Sequence, residues 1–166
     1  MSELTIRPAG PEDISLIRSL ALEIWPSTYL SIIGQAQIDY MLELMYSEAS
    51  LLEQMQQGKP FILVYEEEEP VGFASYGLLG EGKYKLYKLY VLPGLQGRGT
   101  GRFVIQYILN DIKTKGARSL ELQVNKANKA RIFYEKNGFR VREEMVLDIG
   151  KGYVMDDYIM ELQLAD

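Results

Sequence analysis

One ten-residue stretch constrains the fold more than any other: Pro93-Gly94-Leu95-Gln96-Gly97-Arg98-Gly99-Thr100-Gly101-Arg102. It follows an aromatic and aliphatic run from Tyr84 to Leu92, whose composition and flanking breakers favour a strand over the helix that its three-residue Tyr–Leu–Lys spacing would allow. It precedes Phe103 to Lys115, where Val104, Tyr107, Ile108 and Ile112 fall on one helical face and Gly116 marks the end. Closely spaced glycines let the backbone adopt positive φ and approach a ligand. The helix that follows offers unpaired N–H groups and a positive dipole end, a combination suited to a phosphate or pyrophosphate. Charge-assisted hydrogen bonds contribute ~1.5–3 kcal/mol each and the dipole ~0.3–1 kcal/mol. Several such donors hold a diphosphate even on a protein of net negative charge.

Spacing removes the commonest nucleotide motifs. A dinucleotide fingerprint begun at Gly97 needs glycine where Arg102 stands, and one begun at Gly99 needs it where Val104 stands. A P-loop counted from Gly94 reaches Gly99 and then requires Lys, but finds Thr100. A tight strand–helix turn with no ligand remains the bland alternative.

The rest of the chain reads as one α/β domain over residues 1–166. A β-type run from Leu4 to Pro8 is followed by a helix opened by Pro11-Glu12-Asp13, with Ile14, Ile17, Leu20, Ala21 and Ile24 on one face, stopped at Trp25-Pro26. Two further helices are expected, Gln35 to about Tyr46 and Ser47 to Gln57. From Phe61 the period changes. Phe61–Tyr65 and Val71–Leu79 read as strands joined by a charged, solvated hairpin loop, Glu66 to Pro70. Ser119–Val124 alternates as a strand, Asn128–Lys136 is a helix closed by Asn137-Gly138, and Phe139–Leu147 and Tyr153–Leu164 finish as strands. The order predicts a mixed central sheet covered by helices.

Two absences exclude whole chemistries. With 166 residues the chain has no Cys, which removes thiol nucleophiles, disulfides and thiolate metal sites. It has no His, which removes Ser-His-Asp triads, histidine bases and nearly all transition-metal sites. No metal is expected. No apolar run approaches the ~18 residues of a membrane span, and Met1–Arg7 lacks a signal-peptide pattern, so a cytoplasmic protein with no membrane partner is the expectation. A net charge of −5 argues against a nucleic-acid partner. Residues 1–80 carry 3 basic and 12 acidic side chains, whereas residues 81–166 carry 15 and 11. That asymmetry points to a cationic substrate met by the first half and an anionic one by the second, or to clustering on solvated faces.

The turn resembles the Q/R-x-x-G-x-G/A signature of the GCN5-related N-acetyltransferase (GNAT) superfamily, in Gln96-Gly97-Arg98-Gly99-Thr100-Gly101. The lead-in Leu89-Tyr90-Val91-Leu92-Pro93 resembles that family's splayed fourth strand. A second block, from Asn125 through Asn128, Ala130, Phe133-Tyr134-Glu135-Lys136 to Gly138-Phe139, resembles its N…A..FYEK.GF helix. The resemblance implies a mostly antiparallel, single-domain acyl-CoA N-acyltransferase fold and transfer of the acetyl group of acetyl-CoA to an amine. It implies pantetheine contacts from Leu89, Tyr90 and Val91, and a pyrophosphate site over Gln96, Gly97, Arg98, Gly99, Thr100, Gly101 and Arg102. Asn128 is the second-block cofactor contact, with Asn125 as the alternative; otherwise both are turn and cap residues.

The resemblance further implies Tyr134 as the acid that protonates the leaving sulfur, against a packing role, and Glu121 as a base, against an ordinary strand carboxylate. A looser likeness of Glu23-x-Trp25…Tyr29 to the bacterial polyamine N-acetyltransferase branch implies a small, cationic, polyamine-like acceptor. Trp25 and Tyr29 would form an aromatic wall with Glu23 as counter-charge, although core packing also accounts for Trp25. Acetylation of a protein lysine or N-terminus, and a non-catalytic acyl-CoA sensor, are the competing functions. The hairpin near Gly150–Tyr153 leaves room for a homodimer.

Overall fold

In a computed structural model, which describes residues 3–95 and 97–164, the strand-forming segments join one seven-stranded sheet. The strands are β1 (Leu4–Ala9), β2 (Phe61–Glu66), β3 (Glu69–Gly80), β4 (Lys83–Val91), β5 (Ser119–Asn125), β6 (Arg140–Gly150) and β7 (Tyr153–Gln163). Their spatial order is β1-β2-β3-β4-β5-β7-β6, and neighbours are antiparallel except β4 with β5. That parallel pair needs a crossover, supplied by helix α3 (Thr100–Lys113).

Helices cover both faces. Val104, Ile105, Ile108 and Ile112 of α3 pack with Leu86, Leu120, Leu122, Phe139 and Met160. On the other face Ile17, Leu20, Ile24, Trp25 and Ile38 of α1 (Ile14–Tyr46) and Leu51 of α2 (Glu48–Gln56) pack with Phe61, Leu63 and Phe73. Double coverage explains why Phe61-Ile62-Leu63-Val64 is apolar without alternation: Phe61 and Leu63 enter one core, Ile62 and Val64 the other. Among the described residues no helix is long and apolar enough to cross a membrane.

The expected stop at Trp25-Pro26 is corrected by the structure. Helical backbone runs through Pro26 and breaks instead at Gly34, whose φ of 79° and ψ of 164° lie outside helical space. Proline removes the hydrogen bond to the carbonyl of residue 22, but Leu22 is on the exposed side, where water can satisfy that carbonyl. Burial of Ile24 and Trp25 just before the proline keeps the segment on the sheet. Tyr29 therefore stands on a helix, one turn beyond Trp25.

The feature that opens a site is local to β4. Its parallel pairing with β5 runs from Lys83 opposite Ser119 to Leu86 opposite Leu122 and stops, although both strands continue. On the β3 side the register slips between Ser75 opposite Lys88 and Tyr76 opposite Leu86, a β-bulge at Tyr87. The bulge reverses the alternation: Tyr84 and Leu86 enter the α3-side core, whereas Tyr90 packs on the α1 side. Beyond Leu86, the backbone groups of β4 that would pair with β5 have no strand partner among the described residues.

Candidate active site

The splay between β4 and β5 opens into a cleft of about 510 Å³. Its walls are β4 from Leu86 to Val91, β5 at Leu122–Val124, α1 around Thr28 and Tyr29, and α4 (Ala130–Lys136) at Phe133 and Tyr134. One end is the glycine-rich turn, through Leu95, Gly97 and Gly101. Gly94, Gly97 and Gly99 have φ of 89°, 82° and 86°, so the turn takes the left-handed conformation that glycine permits. Gly99 caps α3 without a side-chain hydrogen bond, and the first backbone bond of the helix is Phe103 N–H to the Gly99 carbonyl at 3.0 Å. The N–H groups of Thr100, Gly101 and Arg102 thus have no helical partner. A Cβ on Gly101 would come within 2.9 Å of Phe133 Cζ, so turn and α4 approach as closely as glycine allows. Free N–H donors at a helix start, with no side chain in the way, fit the diphosphate of coenzyme A.

The charged residues of the turn are less engaged than its backbone. Arg98 is exposed and reaches Glu66 Oε2 at 3.3 Å, and Arg102 is exposed on the first turn of α3. Gln96 lies outside the described residues. Asn128 Oδ1 accepts from the Ala130 N–H at 2.9 Å, and Asn125 Oδ1 from the Ala127 N–H at 2.8 Å. Both asparagines therefore shape the turn into α4, and for that reason the helix begins at Ala130 rather than Asn128. Asn128 also lines the cleft. Tyr134, 8% exposed, stands edge-on to Phe133 and Phe139 with ring centroids 5.2 and 5.6 Å away, so it both packs and borders the cleft. Burial raises the pKa of its hydroxyl, which keeps the proton at physiological pH.

A second cavity of about 170 Å³ lies on the α1 side of the splay and shares Tyr29, Tyr87, Lys88, Tyr90 and Gln123 with the cleft. The Tyr29 and Tyr90 hydroxyls are 2.9 Å apart at this boundary. Trp25 packs at a tilt against Tyr29, with centroids 4.5 Å apart, and lies edge-on to Tyr46 at 5.7 Å. Trp25 and Tyr46 are each 2% exposed, and Trp25 Nε1 and the Tyr46 hydroxyl are enclosed together: burial raises the hydroxyl's pKa well above its ordinary value, and the neighbouring indole N–H opposes the rise.

Three further residues of this cavity escaped the sequence reading. Asp157, 2% exposed, stands on β7 opposite Asn125. Burial pushes its carboxyl up to about 6, Asp156 adds to the rise, and Lys85 and Lys126 oppose it. The available signal was an acid in the alternating row Tyr153, Met155, Asp157, Ile159. Lys88 donates to Gln54 Oε1 at 2.8 Å and lies over the Tyr46 and Phe61 rings. Burial lowers its pKa to about 8, with Lys59 and Lys85 contributing. Lys85 donates to Gln123 Oε1 at 2.6 Å, and burial lowers its pKa as well.

Two expected site residues lie outside both cavities. Glu121 borders neither cavity: Arg142 Nη1 donates to it at 3.1 Å and to Glu161 at 2.8 Å, so its carboxylate is held in an ion-paired cluster on the sheet. Glu23 is exposed on α1 and is absent from the wall that Trp25 and Tyr29 form. The acidic excess of the first half lies largely on solvated faces, at Glu23, Asp39, Glu43, Glu48, Glu53 and Glu67–Glu69. Among the described residues no group of three His, Cys, Asp or Glu is placed to hold a metal.

Residues 31–155 match the family described as the acetyltransferase (GNAT) domain. The chain is 27% identical over 163 residues to the uncharacterized N-acetyltransferase YuaI of Bacillus subtilis, covering 90% of this chain and 92% of that one. It is 35% identical over 89 residues to a [ribosomal protein bS18]-alanine N-acetyltransferase of Haemophilus influenzae, a match spanning 53% of this chain and about half, 56%, of the relative. The structure is similar to that of the PaiA N-acetyltransferase from Thermoplasma acidophilum in complex with coenzyme A, at a TM-score of 0.82 and 26% identity over 98% of this chain and 99% of that one. A glycine turn, splayed strands and a tyrosine-bearing helix thus occur together in a chain that belongs to the GNAT family, as an acetyl-CoA-dependent N-acetyltransferase.

Proposed function

We propose that the enzyme acetylates the primary amine of a small acceptor by direct attack in a ternary complex, with acetyl-CoA in the large cleft and the acceptor in the small cavity. The observation that carries this reading is the shared wall: the cavities meet where β4 leaves β5, with Tyr134 bordering one and Asp157 the other. Bound acetyl-CoA supplies an activated thioester acyl group. The glycine turn and the free N–H groups of Thr100, Gly101 and Arg102 hold its diphosphate, and the backbone groups of Leu89, Tyr90 and Val91 on the side left by β5 hold the pantetheine. A β4 N–H near Val91 polarises the acyl carbonyl.

An alkylammonium titrates at ~10.4 and must lose a proton before it can attack. Asp157 is the acceptor of that proton, directly or through one water, because its raised pKa leaves it ionised yet basic near neutral pH. Tyr134, protonated in the resting enzyme, gives its proton to the leaving sulfur as the C–S bond breaks. It regains one through water from the attacking nitrogen, which sheds its second proton as the amide forms; Asp157 releases its proton to solvent. No covalent enzyme intermediate is needed, in keeping with a chain lacking Cys and His. A cavity this size, below the ~300–1,000 Å³ of drug-sized sites, suits a small amine or the end of a longer one.

A polyamine-like acceptor would need carboxylates for its additional charges, and the cavity lining offers one, Asp157, against two lysines. Acetylation of a polypeptide N-terminus is the second reading, favoured by the partial likeness to a ribosomal-protein alanine acetyltransferase. Both are tested by one assay: a panel of amines, polyamines and short peptides with acetyl-CoA, reading free thiol. Because the chain has no Cys, the thiol reagent detects coenzyme A alone. Thiol release with small amines supports the proposal, and release with peptides alone favours the second reading. Acetyl-CoA binding without thiol release from any acceptor would leave a non-catalytic sensor.

A further inference from the structure

The polar groups of the small cavity are unbalanced. Its lining holds Lys85 and Lys88 but a single carboxylate, Asp157. A third ammonium stands beside them: Lys59 Nζ lies 5.1 Å and Lys85 Nζ 5.3 Å from the centroid of the Tyr87 ring. Lys88 makes its one hydrogen bond, among the described residues, to a neutral amide, Gln54. Lys59 and Lys85 depress its pKa further and no acid restores it, although enough charge remains at neutral pH to attract an anion. A partly buried ammonium facing further cations and no carboxylate is costly unless something negative joins it. Lys88 also lies over the ring of Tyr46, whose hydroxyl is enclosed with Trp25 Nε1, so neither of these neutral groups balances its charge. Two ammonium groups of β4, Lys85 and Lys88, therefore line the cavity against the lone acid of β7.

We propose that the acceptor amine carries an anionic oxyacid group, a carboxylate or a phosphonate, received by Lys88, while its amine faces Asp157. This rests on the reading that acetyl transfer takes place at this cavity and names the acceptor's class within it. The aromatic and methionine lining, Trp25, Tyr29, Met41 and Met45, accommodates an apolar body between the two ends. Lys88 is thus a specificity-determining residue, and an amino-acid-like molecule matches the cavity where a polycation does not.

The test compares matched pairs that differ by the anionic group alone: phenylalanine with phenethylamine, 4-aminobutyrate with butylamine, and an aminoalkylphosphonate with its parent amine. Spermidine and a short peptide complete the panel. The anionic member should show kcat/KM at least about tenfold above its partner, the worth of one charge-assisted hydrogen bond. Carboxylate and phosphonate arms show which oxyacid is preferred. Lys88→Gln should bring the ratio to about one, and Lys88→Arg should restore it; Lys88→Met replaces the glutamine variant if that one fails to bind acetyl-CoA. Plain amines or spermidine turned over as well as the acids, or a preference that survives loss of Lys88, would overturn the inference while leaving acetyl transfer intact. No thiol release from any amine, with acetyl-CoA bound, would overturn both.

Discussion

The two cavities are built from different materials. The large cleft relies on backbone: glycines at positive φ, a helix start with free N–H groups, and a strand whose partner has diverged. The small cavity relies on side chains drawn from α1, β4, β5 and β7, far apart in sequence. A site made of backbone recognises what is constant in a reaction, here the coenzyme. A site made of side chains can change without disturbing the strand and turn geometry, and it is where acceptor choice resides.

Substitutions that hit one cavity and spare the other sharpen this contrast. Asp157→Asn should have the largest effect, lowering kcat by about 10²–10³-fold with acetyl-CoA affinity changed less than about twofold, by steady-state kinetics and calorimetry. Its pH signature follows from the raised pKa: the carboxylate must be ionised to accept a proton, so kcat/KM of the parent rises with pH to a plateau above about 6, and the variant lacks that limb. The stability effect has the opposite sense. A carboxyl raised from 3.8 to about 6 by folding stabilises the native state at low pH, and that contribution is lost as pH rises through 6. Asp157→Asn should therefore melt above the parent at pH 7 and lose that advantage below pH ~4.

Tyr134→Phe should lower kcat by about 10²-fold with little change in acetyl-CoA affinity, and equal losses in both would contradict its role as acid. Gly99→Val forces a branched residue into the left-handed region, so acetyl-CoA affinity should fall about tenfold by calorimetry, with the acceptor preference unchanged. Arg102→Ala, at an exposed position, should cost only about threefold in acetyl-CoA affinity and less at high salt. Glu121→Gln should be smallest, within about twofold in kcat, because it alters an ion-paired cluster outside both cavities.

The same division sets what could be read from the sequence. The turn from Pro93 to Arg102 was legible because phosphate binding by backbone imposes glycine at fixed local spacing. The element order was legible because period and breakers are local, except at Pro26, where burial of Ile24 and Trp25 carried the helix onward to Gly34. The acceptor side was not. Asp157 and Lys88 come to line one cavity only when the sheet brings β7 and β4 to either side of β5, and no local pattern records that. Glu121 looked like a free carboxylate because its neighbour Arg142 lies 21 residues away on β6. Charge counts left two readings open for a similar reason: an acidic first half says nothing about which side chains face inward, and those lining the cavity from α1 are neutral while the acids lie on solvated faces.

The most direct test is a crystal structure with coenzyme A and an acetylated amine bound together. We expect the diphosphate on the N–H groups of Gly97 to Arg102, the sulfur beside Tyr134, and the amide nitrogen between the splayed strands on the side of Asp157. Coenzyme bound away from the glycine turn, or an amide lying on the far side of β4 from Asp157, would contradict a two-cavity enzyme joined at the β4–β5 splay.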